Sequence, residues 1–308
     1  MANRKIGMWM YSNGGGDIIQ DKIIKQLKER EIDTVTALDL RFARGSNSGI
    51  ACTPLDGSAD VEMLDLDAFF SYNAGEQTLA QIYMYEAVSR YMPTINSYEA
   101  FALSEDKFKS NIALARAGVN TSDFFLCHRE NPQYMVEKFE EWQKMVFKPL
   151  DGWGGNGMAL LDSRQTLDTL MPFLNQTDMR HIYLERFIEN DFTDFRVDIV
   201  GGEFIACYGR KASDRDWRTN VTSGGSVILR EANDEIIDIA TRASSALGMD
   251  IAGVDILYDK EKEQYVVLEV NGIPAFATPD QEAMGLDFND KKISKIVEII
   301  DNKTKKNS

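Results

Sequence analysis

Lys148-Pro149-Leu150-Asp151-Gly152-Trp153-Gly154-Gly155-Asn156-Gly157 decides how this chain is read. An apolar, strand-like run from Lys144 to Leu150 delivers a lysine. A loop with four glycines then leads into a second strand-like run, Gly157 to Asp162. Glycines let backbone N–H groups converge on phosphate oxygens at φ values that other residues avoid. The lysine adds a compact charge for the same phosphates. No helix follows directly, so the stretch is neither a Walker A motif nor a Rossmann fingerprint. The competing reading is a glycine-rich hairpin with a surface lysine.

Downstream, Gly253-Val254-Asp255-Ile256 and Leu268-Glu269-Val270-Asn271 read as two strands of a hairpin. Glu269 and Asn271 are two apart on a strand and share a face. A turn around Lys260 to Glu263 sets Asp255 roughly opposite Glu269. Three oxygen-bearing side chains then converge within apolar strands, where buried carboxylates need a cation or hydrogen-bond donors. Oxygen ligands without histidine or cysteine favour Mg²⁺ held together with nucleotide phosphates. The competing reading is a pair of carboxylates at a sheet edge.

Between these blocks, His181 to Ile188 and Phe195 to Tyr208 look like strands, with a tight turn at Gly201-Gly202. A helix spans Asn233 to Leu247, and a last one Lys291 to Ile300 before a polar tail, Asn302 to Ser308, expected to fray. Upstream, Ser104 is the expected N-cap of a helix reaching Ala117, closed by Gly118. The first ninety or so residues alternate strands (Lys5–Tyr11, Thr34–Leu40, Ala68–Ala74) with helices (Ile18–Arg30, Glu76–Arg90). This pattern predicts a small parallel α/β lobe. Gly14-Gly15-Gly16 after the first strand is either an anion cradle or a plain strand-to-helix turn.

The 308 residues suffice for two or three lobes. A net charge of −15 argues against a general nucleic-acid surface. No apolar run is long enough to span a bilayer, and Gly14 to Asp17 interrupts any signal-like stretch. A cytoplasmic protein is therefore expected, with Cys52, Cys127 and Cys207 as reduced thiols. Against the acidic background, Arg210, Lys211, Arg215 and Arg218 form a basic cluster suited to clamping anions. The two histidines, His128 and His181, are expected to be structural.

From about Tyr98 to Glu298 the chain resembles the ATP-grasp ligases of the RimK group, which add glutamate to a carboxyl terminus. Its glycine loop is also similar to that of bacterial glutathione synthetases. The resemblance rests on ordered blocks: Ser104 to Lys107, Lys148 to Gly157, Tyr183 to Ile188, Asp194 to Arg196, Arg218 to Asn220 with Gly224-Gly225, Ala252 to Ile256, and Glu269 to Asn271. It implies an α/β (α+β) ATP-grasp fold with a small N-terminal parallel lobe. The implied divisions are 1–97, 98–180 and 181–308.

The resemblance also implies roles. Lys107 and Lys148 hold ATP phosphates. The loop Gly152, Trp153, Gly154, Gly155, Asn156, Gly157 covers them. Glu185, Arg186, Phe187 and Ile188 form the hinge strand, whose backbone reads the adenine edge, and Asp194 approaches the ribose. Asp255, Glu269 and Asn271 hold two Mg²⁺ ions, with Mn²⁺ an alternative. Arg210 and Arg218 serve the reacting centre, with Lys211 and Asn220 beside them, and Arg215 is left for a second anionic group on a substrate. The implied activity joins a carboxylate, activated as an acyl phosphate, to an amine such as an amino acid, with a small-molecule or peptide acceptor. No nucleic-acid or membrane partner is expected, and a homo-oligomer is left open. The alternatives are a glutathione-synthetase-like peptide ligase and a nucleotide-binding regulator without turnover. The chain departs from the RimK pattern at Ser223, which lacks a basic side chain, and at Ile273-Pro274-Ala275-Phe276, where Ser-Pro-Gly is usual. Both departures bear on substrate choice.

Overall fold

The computed structural model describes residues 3–73, 78–150, 155–174, 176, 179–214 and 216–305. The chain starts with β1 (Arg4–Met10), α1 (Gly16–Lys28) and β2 (Ile32–Val35). A side layer follows, formed by β3 (Ala43–Ser46), β4 (Gly49–Cys52) and β5 (Val61–Glu62). Then come β6 (Ala68–Tyr72), α2 (Leu79–Tyr91) and β7 (Thr94–Ile95). The main sheet runs β2-β1-β6-β7 with every pair parallel. Parallel strands covered on both faces read as continuous apolar runs rather than alternating ones. Accordingly, Ile6 and Met8 of β1 join the core beneath α1, and Trp9 joins the one beside α2. In the glycine triplet, a Cβ on Gly16 would stand 2.3 Å from the Tyr11 carbonyl oxygen, so close packing of the turn already accounts for that glycine.

The middle of the chain holds α3 (Tyr98–Ser104), α4 (Lys107–Arg116), β8 (Phe124–His128), α5 (Gln133–Trp142), β9 (Met145–Lys148), β10 (Ala159–Leu161), α6 (Arg164–Leu174) and β11 (His181–Arg186). Four of these strands form an antiparallel sheet, β10-β9-β11-β8. It takes β11 from beyond position 180. The remaining elements are β12 (Thr193–Val200), β13 (Glu203–Lys211), β14 (Ser226–Ile228), α7 (Asp234–Ala246), β15 (Ile251–Asp259), β16 (Gln264–Asn271), α8 (Pro279–Ala283) and α9 (Asn289–Lys305). Their sheet runs β14-β13-β12-β15-β16, antiparallel throughout.

That last sheet has two unlike faces, as its period of two requires. Phe195, Val197, Ile199, Val254 and Ile256 pack in the core against α7. Asp194, Arg196 and Asp198 alternate with them on β12, so the opposite face carries charge. This face is where the chemistry gathers.

Several expectations are corrected. Ser104 does not cap a helix; it ends α3, and Asp106 caps α4 by accepting the Lys109 N–H. The second strand stops at Val35 because Ala37 adopts φ 58°, and Asp39 caps a short 3₁₀ turn there. The tail does not fray at Asn302: α9 continues to Lys305, with Asp301 paired to Arg4 at 2.7 Å and Thr304 buried. The β3–β5 layer and helices α5 and α6 were not anticipated. No described helix is long and apolar enough to cross a membrane.

One buried residue ties the N-terminal lobe to the charged sheet. Asn96, just after β7, accepts from the N–H groups of Asp250 and Ile251 at 2.8 Å each. Its amide donates to the carbonyls of Ile251 and Gly272 at 3.0 Å each. All four of its hydrogen-bonding positions are filled, next to the end of β16.

Candidate active site

Between the β8–β11 sheet and the charged face of the β12–β16 sheet lies a cleft. Lys107, Lys148, Gly155, Asn156, Glu185 to Ile188, Asp194, Arg210, Arg218, Asn220, Asp255 and Glu269 all line it. Residues far apart in sequence meet here because two antiparallel sheets turn polar faces toward each other.

On the first wall, Lys148 at the end of β9 donates to Glu185 on β11 at 2.5 Å. Glu185 also accepts from the Tyr183 hydroxyl at 2.9 Å, and Asn111 of α4 donates to that hydroxyl at 2.6 Å. Burial, with the nearby Glu185 charge, pushes the Tyr183 phenol well above its ordinary range, so it stays a neutral donor. This chain of bonds sets the direction of Lys148.

At the end of β11, the Arg186 guanidinium is bonded to Asp123 at 2.7 Å, to Glu261 at 2.8 Å, and to Asp259. The Arg186 side chain therefore anchors the segment Glu185 to Ile188. The Arg186 N–H goes to the Asp123 carbonyl and the Phe187 N–H to the Lys144 carbonyl. Apolar groups complete this end of the cleft: Val146, Met158, Leu257, Leu268 and Trp217, whose ring meets Phe187 edge-on at 6.0 Å. Sequence reasoning missed these five: Val146, Leu257 and Leu268 lie in strands and look like core, and Met158 and Trp217 lie in loops.

On the second wall, register does the placing. Asp255 pairs with Glu269 across β15 and β16, and Asn271 sits opposite Gly253. Lys107, at the start of α4, reaches Glu269 at 3.5 Å. Arg210 forks onto Asp194 (Nη2 to Oδ2 2.6 Å) and reaches Asp255 Oδ2 at 2.8 Å. Burial opposes the Arg210 charge, but Asp255 and Asp194 outweigh it and hold its pKa above the ordinary arginine range. Asp194 is fully buried, and its oxygens are taken by Arg210 and the Thr219 hydroxyl. These partners make it the anchor of Arg210 and of the following loop.

That loop meets the glycine stretch. Arg218 bonds Asp216 through Nε and Nη2, and donates from Nη1 to the Gly155 carbonyl at 2.7 Å. Gly155 has φ 75°, and a Cβ there would stand 3.1 Å from Asn220 Oδ1 and 3.2 Å from Arg218 Cδ. Gly152, Trp153, Gly154 and Arg215 lie outside the described residues. Lys211 is not brought to the cleft. Arg210 points inward, so alternation sends the next side chain to the other face, and Lys211 is exposed. His128 and His181 face each other across the β8–β11 edge, far from these groups in the sheet register.

The fit of this wall to a metal can be judged from its oxygens. Asp255 is buried, with Oδ1 2.5 Å from Arg196 Nε and Oδ2 2.8 Å from Arg210 Nη2, so two guanidinium groups already balance its charge. Among the described residues no three His, Cys, Asp or Glu side chains gather to hold a metal by themselves. The set is two carboxylates and an amide, which suits Mg²⁺ completed by phosphate oxygens and water.

Comparison with known proteins agrees with this geometry. Residues 104–297 match the RimK-like ATP-grasp domain. The chain is 25% identical over 290 residues to a tetrahydromethanopterin:alpha-L-glutamate ligase of Methanocaldococcus jannaschii, covering 92% of this chain and 96% of that one. It is 29% identical over 216 residues to a probable alpha-L-glutamate ligase of Enterobacter sp., covering 70% of each. In fold it is similar to a D-alanine–D-alanine ligase from Bacillus anthracis, with TM-score 0.65, 15% identity, and 99% and 100% of the two chains covered. It is also similar to the ATP-grasp ligase PsnB complexed with a precursor variant, Mg and ADP, with TM-score 0.64, 16% identity, and 98% and 99% covered. ATP and Mg²⁺ are the family's cofactors. The chain thus belongs to the RimK-like ATP-grasp family and is an ATP-dependent ligase that joins a carboxylate to an amine.

Proposed function

We propose that the cleft binds ATP with its adenine against the hinge and its phosphates toward Asp255 and Glu269, and that the enzyme adds an α-amino acid to an acid acceptor. The observation that carries this reading is the pairing of Asp255 with Glu269 on the wall of the cleft that Lys107 and Lys148 enter. At the hinge, Ile188 is buried and, among the described residues, its N–H meets no acceptor, which suits it to an adenine nitrogen. Val146, Leu257 and Leu268 supply apolar surface for the ring.

A carboxylate is a poor electrophile, and the chemistry overcomes this by phosphorylation. The γ-phosphoryl group passes to a carboxylate oxygen, the bond to the bridging oxygen of ADP breaks, and an acyl phosphate forms. An amine then attacks the acyl carbon, loses a proton, and expels phosphate. Mg²⁺ held by Asp255, Glu269 and Asn271 supplies charge neutralisation at the phosphate oxygens when bound; two ions fit this reading. Lys107 and Lys148 orient the phosphates, and Glu185 and Tyr183 fix Lys148. Arg210, braced by Asp194, offers positive charge where it builds up in transfer. Arg218 ties the glycine loop over the site through the Gly155 carbonyl, which keeps water from the acyl phosphate.

Glutamate is the first amine to test, because the relatives named above are glutamate ligases. A cytoplasmic setting agrees with Cys52, Cys127 and Cys207 being free thiols. The test is a screen of amino acids against acceptor acids, scored for nucleotide products. ADP and phosphate, one of each per bond formed, are expected. AMP and pyrophosphate would mean adenylation and would overturn the mechanism.

A further inference from the structure

Lys292, in the first turn of α9, is completely buried, and it does not line the cleft. Its ammonium uses all three donors: on Asp198 Oδ2 at 2.8 Å, on the Pro274 carbonyl at 2.8 Å and on the Ala275 carbonyl at 3.0 Å. The rings of Phe276, Phe288 and Tyr72 surround it, with centroids 4.6, 5.8 and 6.0 Å from Nζ. Asp198 is equally buried, and its Oδ1 accepts no hydrogen bond among the described residues. Desolvation of such a pair offsets most of its attraction, and apolar side chains in its place often leave a fold as stable or more so. Fold stability alone therefore does not account for a buried lysine here.

What the ammonium holds is one loop. Residues 272–277 lead from β16, which carries Glu269 and Asn271, to the core of the N-terminal lobe, which Phe276 and Ala277 join. The loop contains Ile273 to Phe276, the stretch that departs from the RimK pattern. The Pro274 carbonyl also accepts from the Tyr72 hydroxyl at 2.5 Å. Asn289, in the same turn of α9 as Lys292, binds both backbone groups of Ala277 at 2.9 Å. The first turn of α9 thus grips the loop at 274, 275 and 277.

This loop bears on Asn271 in two ways. It starts at the next residue of the chain, and it packs on the strand that faces Asn271. A Cβ on Gly253 would stand 2.7 Å from Pro274 Cβ, so only glycine lets the loop lie so close to β15. Gly253 is the register partner of Asn271, and its carbonyl accepts from the Asn271 amide at 3.3 Å. Asn271 is therefore confined between the loop that Lys292 fixes and the strand on which that loop rests.

We infer that Lys292 is a positioning residue for the ligation: it fixes the loop after β16 and, through it, the direction of Asn271. The inference rests on the proposed role of Asn271 in holding Mg²⁺. Losing support behind a metal ligand costs about 10- to 100-fold in metal affinity or activity. Asp198 serves the same end. Burial pulls the Lys292 pKa below the ordinary lysine range, and the Asp198 carboxylate opposes that pull and favours the charged ammonium.

The test compares Lys292→Met with the double variant Lys292→Met/Asp198→Val. The single variant leaves a buried carboxylate without its counter-ion, whereas the double variant removes both charges. Each is assayed at a temperature where circular dichroism shows it folded. Lys292→Met is expected to lower the thermal midpoint and to lower kcat by about 10- to 100-fold. Binding of Mn²⁺ to the enzyme–ADP complex, read from the electron paramagnetic resonance of the free ion, weakens by about tenfold. The KM for ATP at saturating Mg²⁺ stays within about threefold. In the double variant the midpoint returns toward the wild type. The losses in kcat and Mn²⁺ affinity remain, because Pro274 and Ala275 still lack their donor. Recovery of both together with the midpoint would make Lys292 a purely structural residue and overturn the inference. Wild-type kcat and Mn²⁺ affinity in the single variant would overturn it as well. Failure of the metal reading itself would show differently, as Asn271→Ala binding Mn²⁺ as tightly as the wild type does.

Discussion

Lys148 Nζ lies 2.5 Å from Glu185 Oε2, across neighbouring strands of the β8–β11 sheet, and both side chains are almost fully shielded from solvent. The lysine that announces the glycine loop is thus held by a carboxylate that sequence reasoning read only as part of the hinge backbone. Glu185→Gln removes the charge and keeps the shape. It is expected to raise the KM for ATP by about tenfold while changing the maximal rate much less, because a misdirected lysine weakens phosphate binding in ground and transition states alike. Unchanged nucleotide affinity by direct titration would mean that Lys148 needs no such support.

Glu269 faces both Asp255 and Lys107. Glu269→Ala is expected to abolish turnover in a folded protein, lowering the rate by about 10³-fold or more while ATP binding weakens less, since charge neutralisation matters most during transfer. The far-ultraviolet circular dichroism should match the wild type. Near-normal turnover with unaltered Mg²⁺ dependence would show that these carboxylates only support the sheet.

Arg218 reaches Gly155 through one N–H of a rigid fork and Asp216 through the others. Lysine keeps the charge and loses the geometry. Arg218→Lys is expected to slow turnover by about 10²-fold with ATP affinity little changed, the scale of one lost preorganised donor. A second expected sign is more ADP release without product, as water gains access to the acyl phosphate. Wild-type behaviour with every active substrate pair would remove Arg218 from the site.

Asn96 fills all four of its hydrogen-bonding positions between the N-terminal lobe and the ends of β15 and β16. Asn96→Ala leaves buried backbone groups without partners. A loss of about 2–4 kcal/mol in unfolding free energy is expected by chemical denaturation. Turnover should fall along with stability, because Gly272 follows directly on Asn271. Stability within experimental scatter of the wild type would mean that water or a shifted side chain replaces these bonds.

Much of this protein is legible in its order of residues alone. Local patterns carried the glycine loop after Lys148, the hairpin that sets Asp255 against Glu269, and the parallel lobe at the start of the chain. Each depends on short-range rules: glycine's access to positive φ, the period of two along a strand, and strands alternating with helices. Spacing set the two carboxylates only roughly opposite; a register shift between Asp255 and Ile256, a β-bulge, pairs Asp255 with Glu269 where the regular register would have given Leu268.

What the tertiary structure alone decided are the partnerships between distant segments. Glu185 with Lys148, Asp194 with Arg210 and Thr219, Arg218 with Gly155, and Arg196 with the space left by Gly253 join residues that no spacing rule connects. A charged side chain in a strand has the same local signature whether it faces solvent, a metal or a buried arginine. Alternation also removed Lys211 from the cleft, although it stands beside Arg210 in a run of basic residues. The difference lies in which sheet face meets which neighbour, and that is settled only when the lobes pack and the charges must find partners away from water.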